Sequence, residues 1–202
     1  QLKIKDLVVS SCRLFNDQSI DFDIKKTHTE LIDFLKDRFK NYMKESEIRH
    51  DIIESSTNLL NIDNILQIYQ KASVLNNLIN KQIGQDVLFI YKRASNILVN
   101  ETKNVDFQPT GTTDPGLFKN DFEKKLYKKI NYIKKDLSSI ILDNNYQSQL
   151  ESLSSAKVEV IDFFNNVIVN DSDGTIKKNR LELLKMLCKT FDNYLNFSSL
   201  ES

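Results

Sequence analysis

Residues 163–184, FFNNVIVNDSDGTIKKNRLELL, place Asp171 and Asp173 on alternate positions just before Gly174, a spacing that can begin a calcium cage. Such a loop wants oxygen ligands at its first, third and fifth positions, glycine at the sixth and a bidentate glutamate at the twelfth. With Gly174 in sixth place, Asp171 and Asp173 fit, but the first position is Val169 and the twelfth is Arg180. One end is apolar and the other carries the wrong charge. The stretch reads instead as a helix-to-helix turn, with Asp171, Ser172 or Asp173 as N-cap and acidic charge at the positive end of the next helix.

Other chemistries lack their residues. The two histidines, His28 and His50, stand near no cysteine and in no H-x-x-x-H spacing, so zinc has no ligand set. No phosphate-cradling glycine loop or nucleophile elbow occurs, and the carboxylates read as solvated charge on helix faces. No catalytic residue and no metal ligand is nominated.

Three polar stretches remain. In FKNDFEKKLYKKINYIKKDL (118–137), seven lysines between Lys119 and Lys135 face only Asp121 and Glu123. Lys124, Lys128 and Lys135 share one face of the expected helix, opposite an apolar stripe. Two readings stand: a solubilising face, or a phosphate-contacting surface with Tyr127 or Tyr132 available to stack on an unpaired base. In YKRASNIL (91–98), Lys92, Arg93 and Asn96 accompany an apolar stripe. In KKNRLELL, Asn179 precedes Arg180, which shares a face with Ile176, Leu184 and Leu187 and must be paired or reach water. An ion pair with Asp162 is one reading of Arg180, and contact with a polyanion is the other.

The elements that must position these residues are helical. Apolar residues recur at three and four, not at two: Leu31, Leu35, Phe39 and Tyr42, with Thr27 and Glu30 as a capping box; Ile65, Ile68, Tyr69, Ala72, Leu75 and Ile79; and Val87, Tyr91, Ala94 and Leu98 after Gly84. Then come Phe118, Phe122, Leu126, Ile130, Ile133, Leu137 and Ile141; Leu150, Leu153, Val160, Ile161, Phe164, Val167 and Ile168; and Ile176, Leu181, Leu184, Leu187, Phe191 and Leu195. Both prolines and two of the four glycines fall in NVDFQPTGTTDPGLF, so the one long loop, 104–116, divides the chain into two halves. The expectation is a single all-α domain over 1–202, an antiparallel bundle of about seven or eight helices.

Bulk properties agree. The chain has 202 residues, 40% hydrophobic and 28% charged, enough for one substantial core. Its 28 basic and 28 acidic side chains balance, which argues against a uniformly basic nucleic-acid binder but leaves local patches open. Cys12 and Cys188 read as reduced, packed thiols of a cytoplasmic protein. No run suits a membrane span or a signal peptide. A start at Gln1 suggests a fragment of a longer chain.

Taken together, these stretches resemble the carboxy-terminal region of the β subunit of bacterial glycyl-tRNA synthetase. FLKDRFKNYMKESEIRHDII (34–53) is similar to that family's F-x-x-D-R-x-x-x-Y/W segment. Lys92, Arg93, Asn96, Ile97 and Leu98 match its K-R-x-x-N-I-L motif. Phe163, Phe164, Val167 and Val169, then Asn179, Arg180 and Leu181, match its F-F-D-x-V-M-V segment and the following N-R-L. The tail FSSLES is similar too. Asn165 replaces the usual Asp and Ile168 the usual Met, the latter keeping an apolar core residue. Residues 1–30 match less distinctly.

The resemblance implies an all-helical, DALR-type anticodon-binding domain, although the D-A-L-R motif itself is absent. It implies tRNA(Gly) and the α subunit of an α2β2 tetramer as partners, with neither DNA nor membrane. ATP and Mg2+ are implied for the whole enzyme, and no cofactor for this chain. Candidate RNA contacts are Lys92, Arg93, Asn96, Lys124, Lys128, Lys135, Asn179 and Arg180. Two alternatives are a helical scaffold joining the β chain to its α partner, and an arginyl-type anticodon domain.

Overall fold

The computed structural model describes residues 4–16, 18, 20, 23–57, 64–103, 107–140 and 145–200. Among them are nine α-helices: α1 Ile4–Asn16, α2 Ile24–Glu45, α3 His50–Thr57, α4 Ile65–Leu78, α5 Gln82–Thr102, α6 Asp121–Ile140, α7 Tyr146–Ser154, α8 Lys157–Asn166 and α9 Gly174–Asp192. Short 3-10 turns at Pro115–Leu117 and Phe197–Ser199 complete them, and no strand is present among the described residues. The all-α expectation holds. The expected run from Leu150 to Ile168 divides at Ser155, which closes α7 by donating from its backbone N–H to the Glu151 and Leu153 carbonyls. Ile141, residues 104–106 of the long loop and the last two residues of the tail lie outside the described residues.

Two long helices organise the bundle. Both α5 and α6 pack against α7, α8 and α9, while α3 packs on α2, α4 and the terminal 3-10 turn. One core cluster therefore runs from Phe39 to Leu200. Periodicity predicts its members well: Val87, Tyr91, Ala94 and Leu98 of α5, and Leu126, Ile130, Ile133 and Leu137 of α6, are all buried. The rings of Tyr91, Phe191 and Phe197 meet at centroid distances of 5.6–6.2 Å, in tilted or edge contacts that aromatic quadrupoles favour.

Three local expectations change. Helix α2 begins at Ile24 rather than after Thr27, because Asp23 Oδ1 accepts from Lys25 N at 2.9 Å and Lys26 N at 3.1 Å. A carboxylate preceding the sequence's own first turn caps it, and Thr27 becomes an interior residue. Of the stripe on α2, only Phe39 is buried, Met43 joins it, and Tyr42 lies exposed with its ring 5.3 Å from that of Tyr69. Ile168 is 77% exposed, because α8 ends at Asn166 and the chain past that point is extended. The structure uses the Ile168 carbonyl rather than its side chain.

Gly84 explains how α4 turns into α5. A Cβ there would collide with the Leu78 carbonyl oxygen and sit 2.5 Å from Ile79 Cα, so only glycine permits this approach of backbones. Gly174, at the first position of α9, has open space around it. Gly84→Ala should therefore cost at least about 1–3 kcal/mol, as overpacking does. Gly174→Ala should instead add roughly 0.4–1 kcal/mol by restricting the unfolded chain. Urea midpoints moving in opposite directions check the pair; an unchanged Gly84→Ala midpoint would contradict the close approach.

Candidate nucleic-acid interface

Helix α6 is built to show its lysines. With 3.6 residues per turn, Lys124, Lys128 and Lys135 fall within about 40° of one another around the axis. The buried stripe Leu126–Leu137 occupies the other side, so all three lysines are exposed. Lys124 Nζ stands 3.3 Å from Asp121 Oδ1, a solvated surface pair of little energetic weight. Among the described residues, neither Lys128 nor Lys135 has an ion-pair partner.

The two candidate tyrosines divide. Tyr127 is half-buried and packs edge-on against Phe118 at 5.5 Å, whereas Tyr132 is 62% exposed with Lys129 Nζ 5.7 Å from its ring centre. Only Tyr132 offers an open ring. Beside it, Lys135, Asp136 and Ser139 complete a shallow depression of about 250 Å³.

On α5, Lys92 is half-buried while Arg93 and Asn96 are exposed. The Arg93 guanidinium lies 4.8 Å over the Phe164 ring and 5.9 Å from that of Phe89, so cation–π contact holds it against α8. Lys129 of α6 also reaches α8, standing 4.0 Å from Glu159. Phe164 and Glu159 are five residues apart, about 140° around a helix of ordinary pitch. The α5 and α6 groups therefore meet different sides of α8 and do not form one continuous strip.

Asn179 and Arg180 point inward. Asn179 Oδ1 accepts from Asp114 N at 2.8 Å and its Nδ2 donates to Asp114 O at 2.9 Å, fastening the loop ahead of Pro115. Arg180, 5% exposed, donates from Nε to Glu123 Oε1 at 2.8 Å and from Nη1 to the Ile168 carbonyl at 2.8 Å and Asp171 Oδ2 at 2.6 Å. The partners are Glu123 and Asp171, not Asp162. The backbone N–H of Asp173 and the Arg180 guanidinium together hold the Asp171 carboxyl below its ordinary range. Both residues are structural clamps in this fold, with no side chain left facing solvent.

Glu123, a counter-charge to the lysines in the sequence, is fully buried. Its Oε2 accepts from Lys119 N at 2.8 Å and Asn120 N at 3.0 Å, while Asn120 Oδ1 accepts from Phe122 N and Glu123 N at 3.1 Å each. This is an Asn-x-x-Glu capping box, a spacing visible in the sequence. Glu182 accepts from the backbone N–H of Gly111 and, at 3.0 Å, of Thr112. Gly111 adopts φ +85° there.

A larger cavity opens between the end of α6, α7 and the residues after α9. It measures about 410 Å³ and is lined by Lys134, Leu137, Ser138, Gln149, Asn193 and Tyr194. Sequence reasoning missed it, although Gln149 sits beside Leu150 on the inner side of α7. Among the described residues, no three His, Cys, Asp or Glu side chains converge to hold a metal ion, and no helix is long and apolar enough to cross a membrane. Cys12 and Cys188 are both free and buried, and burial pushes the Cys188 thiol up to about 12, with the charge of Asp192 adding to it.

Comparison with known proteins adds a family. A model described as the DALR anticodon binding domain matches residues 87–200, from α5 to the terminal 3-10 turn. The chain is 34% identical over 200 residues to the glycine–tRNA ligase beta subunit of Rickettsia africae (strain ESF-5), covering 99% of this chain and 28% of that protein. The beta subunit of Rickettsia canadensis (strain McKiel) is 33% identical over 201 residues, with the same coverage. That of Rickettsia bellii (strain OSU 85-389) is 33% identical over 202 residues. The chain thus spans about 28% of the length of the relatives it matches.

Replacing Arg180 with Met would leave the Glu123 carboxylate buried without its cation. Breaking a buried pair in this way costs about 3–5 kcal/mol. Urea unfolding of Arg180→Met against the parent checks this; a loss under about 1 kcal/mol, the range of an exposed pair, would show that the pair does not hold α6 to α9.

Proposed function

Because the chain belongs to the DALR anticodon-binding domain family, we propose that it binds the anticodon arm of a tRNA through the lysine face of α6. The supporting observation is that Lys128 and Lys135 stand exposed and unpaired among the described residues, one helical turn either side of the open Tyr132 ring. Lysines spaced along one face neutralise successive backbone phosphates, and an exposed aromatic ring stacks on a base that has left its helix. Arg93 and Asn96, on the other side of α8, make a secondary contact. Asn179 and Arg180 serve as positioning residues: they hold the start of α6.

The relatives' names support a reading of the enzyme as well. The chain is the anticodon-binding region of a glycine–tRNA ligase beta subunit, acting in the cytoplasm on tRNA(Gly). It supports ATP-dependent charging whose ATP and Mg2+ are handled elsewhere in an enzyme with α subunits. On this reading the catalytic residues belong to other parts of that enzyme.

A second reading is favoured by one observation at the other end of the fold. Leu7, Leu14, Phe15, Ile24 and Phe34 of α1 and α2 are exposed, beside an apolar hollow of about 300 Å³ lined by residues including Val8, Cys12 and Leu31. An apolar face of this kind suits a protein contact. It assigns the α1–α2 hairpin to assembly with the ligase, and it leaves α6 free for RNA.

The test is binding of a glycine tRNA anticodon stem-loop over a range of salt concentrations. Changing Lys124, Lys128 and Lys135 together to Gln should make the slope of log K against log salt shallower by about 2–3 units. Affinity should fall at least roughly tenfold near 0.1 M salt. An unchanged slope removes α6 from the interface. Equal affinity for an acceptor-stem hairpin removes anticodon-arm recognition.

A further inference from the structure

Lys134 differs from the other lysines of α6. Lys124 pairs with Asp121, Lys129 reaches Glu159 and Lys125 lies 5.5 Å over the Phe122 ring, while Lys128 and Lys135 stand exposed. Lys134 is half-buried and lines the cavity of about 410 Å³ at the end of the helix, beside Leu137 and Tyr194. Among the described residues it has no ion-pair partner. The charge that acts on it across the bundle is another cation, Lys189, exposed on α9.

Both surroundings disfavour an ammonium. Desolvation penalises the charged form, and a like charge nearby penalises it again. Burial accordingly lowers the Lys134 pKa, and the charge of Lys189 adds to this. A lysine held in an apolar recess or beside a second cation is the usual form of a nucleophilic amine, because only the unprotonated nitrogen has a free electron pair. Burial alone does not make one. Lys71 is also lowered by burial, yet its Nζ donates to the Asn193 carbonyl at 3.2 Å and lies 5.4 Å over the Tyr194 ring, contacts that a protonated amine makes. Lys134 keeps its nitrogen free of such contacts and at the edge of a cavity.

We propose that Lys134 is a modification site that takes an acyl group from acyl phosphates, with Lys189 holding the phosphate. The electron pair of Lys134 Nζ attacks the acyl carbonyl carbon and forms a C–N bond. The C–O bond to phosphate breaks, phosphate leaves with the bonding pair, and the proton shed by nitrogen passes to water. The products are an N-acyl-lysine and inorganic phosphate, with no change of oxidation state. An exposed cation beside the nucleophile attracts the anionic donor and favours its departing phosphate. The acyl group, now on an uncharged amide, then lies against Leu137 and Tyr194 in a cavity with ample room for an acetyl group. None of this depends on RNA binding by α6.

The experiment treats the 202-residue chain with acetyl phosphate and follows each lysine by peptide mass spectrometry. The unprotonated fraction of an amine grows as its pKa falls, so Lys134 should acetylate at least about threefold faster than Lys128. Lys71 should be no faster than Lys128. Ser138→Asp, at an exposed position one turn beyond Lys134, supplies a counter-charge at helical spacing and should bring Lys134 down to the rate of Lys128. Lys189→Gln should slow Lys134 more with acetyl phosphate than with p-nitrophenyl acetate, an uncharged donor, because only the first loses an electrostatic partner.

A Lys134 that reacts no faster than Lys128 overturns the inference, and so does a Lys134 rate unmoved by Ser138→Asp. A Lys71 that outpaces Lys134 overturns it as well, since burial without an open position would then be enough. Equal slowing of the two donors by Lys189→Gln, or no slowing, removes Lys189 from the site. The salt dependence of RNA binding is a separate measurement, so the failure of one reading leaves the other standing.

Discussion

The Arg180 guanidinium, buried against Glu123 and Asp171, is the contact on which the arrangement of the carboxy-terminal helices depends. It joins three places in the chain at once: the first turn of α6, the turn between α8 and α9, and α9 itself. A buried ion pair alone is weak evidence of stability, because desolvation offsets the attraction. Here the remaining acceptor capacity is also used. The second Glu123 oxygen takes two backbone N–H groups at the start of α6, so one side chain both caps a helix and neutralises a buried cation. Asn179 and Glu182, its neighbours on α9, hold the loop that leads into α6. A single turn of α9 thus sets both where the lysine helix begins and how it is rotated.

That rotation matters because α6 has two incompatible sides. Leu126, Ile130, Ile133 and Leu137 must face α7, α8 and α9, and burying them leaves the lysine side no choice but solvent. The electrically neutral chain then carries a concentrated cationic stripe, which total charge conceals. The opposite sign is spent inward: Glu123 is buried, and Glu159 and Glu101 pair with Lys129 and Lys177. Local excess of positive charge on α6 is therefore a result of packing as much as of composition.

The bundle also separates its tasks along its length. The lysine stripe and the cavity beside Gln149 lie among α6, α7 and the residues after α9, within the region that matches the anticodon-binding family. Leu7, Leu14, Phe15, Ile24 and Phe34 cluster instead on α1 and α2, outside that region, whereas Val99, Val158 and Ile168 stand exposed within it on separate elements. On the proposed reading, a polyanion and an apolar partner occupy separate surfaces of one chain.

Helical periodicity is a property of neighbours in sequence, so the all-α class, the inner stripes of α4, α5, α6 and α9, and the exposed line Lys124–Lys128–Lys135 were all legible from residue order alone. The motifs around Arg93 and Phe163 likewise carried the family. Pairing is different, because its partners are set by how helices cross. Arg180 meets Glu123 across 57 residues, and the expected partner Asp162, one helix earlier, is not among its contacts. The same holds for Ile168, where an apolar residue is left outside because the backbone it follows has turned away from the core. Sequence determined which faces are apolar and which are charged; only the tertiary structure decided that Asn179 and Arg180 are clamps, that Tyr132 rather than Tyr127 is open, and that the Gln149 side-chain nitrogen is buried without a partner. The physical reason is that amphipathic pattern is local, whereas burial and hydrogen-bond satisfaction depend on which distant side chains the packing brings within reach.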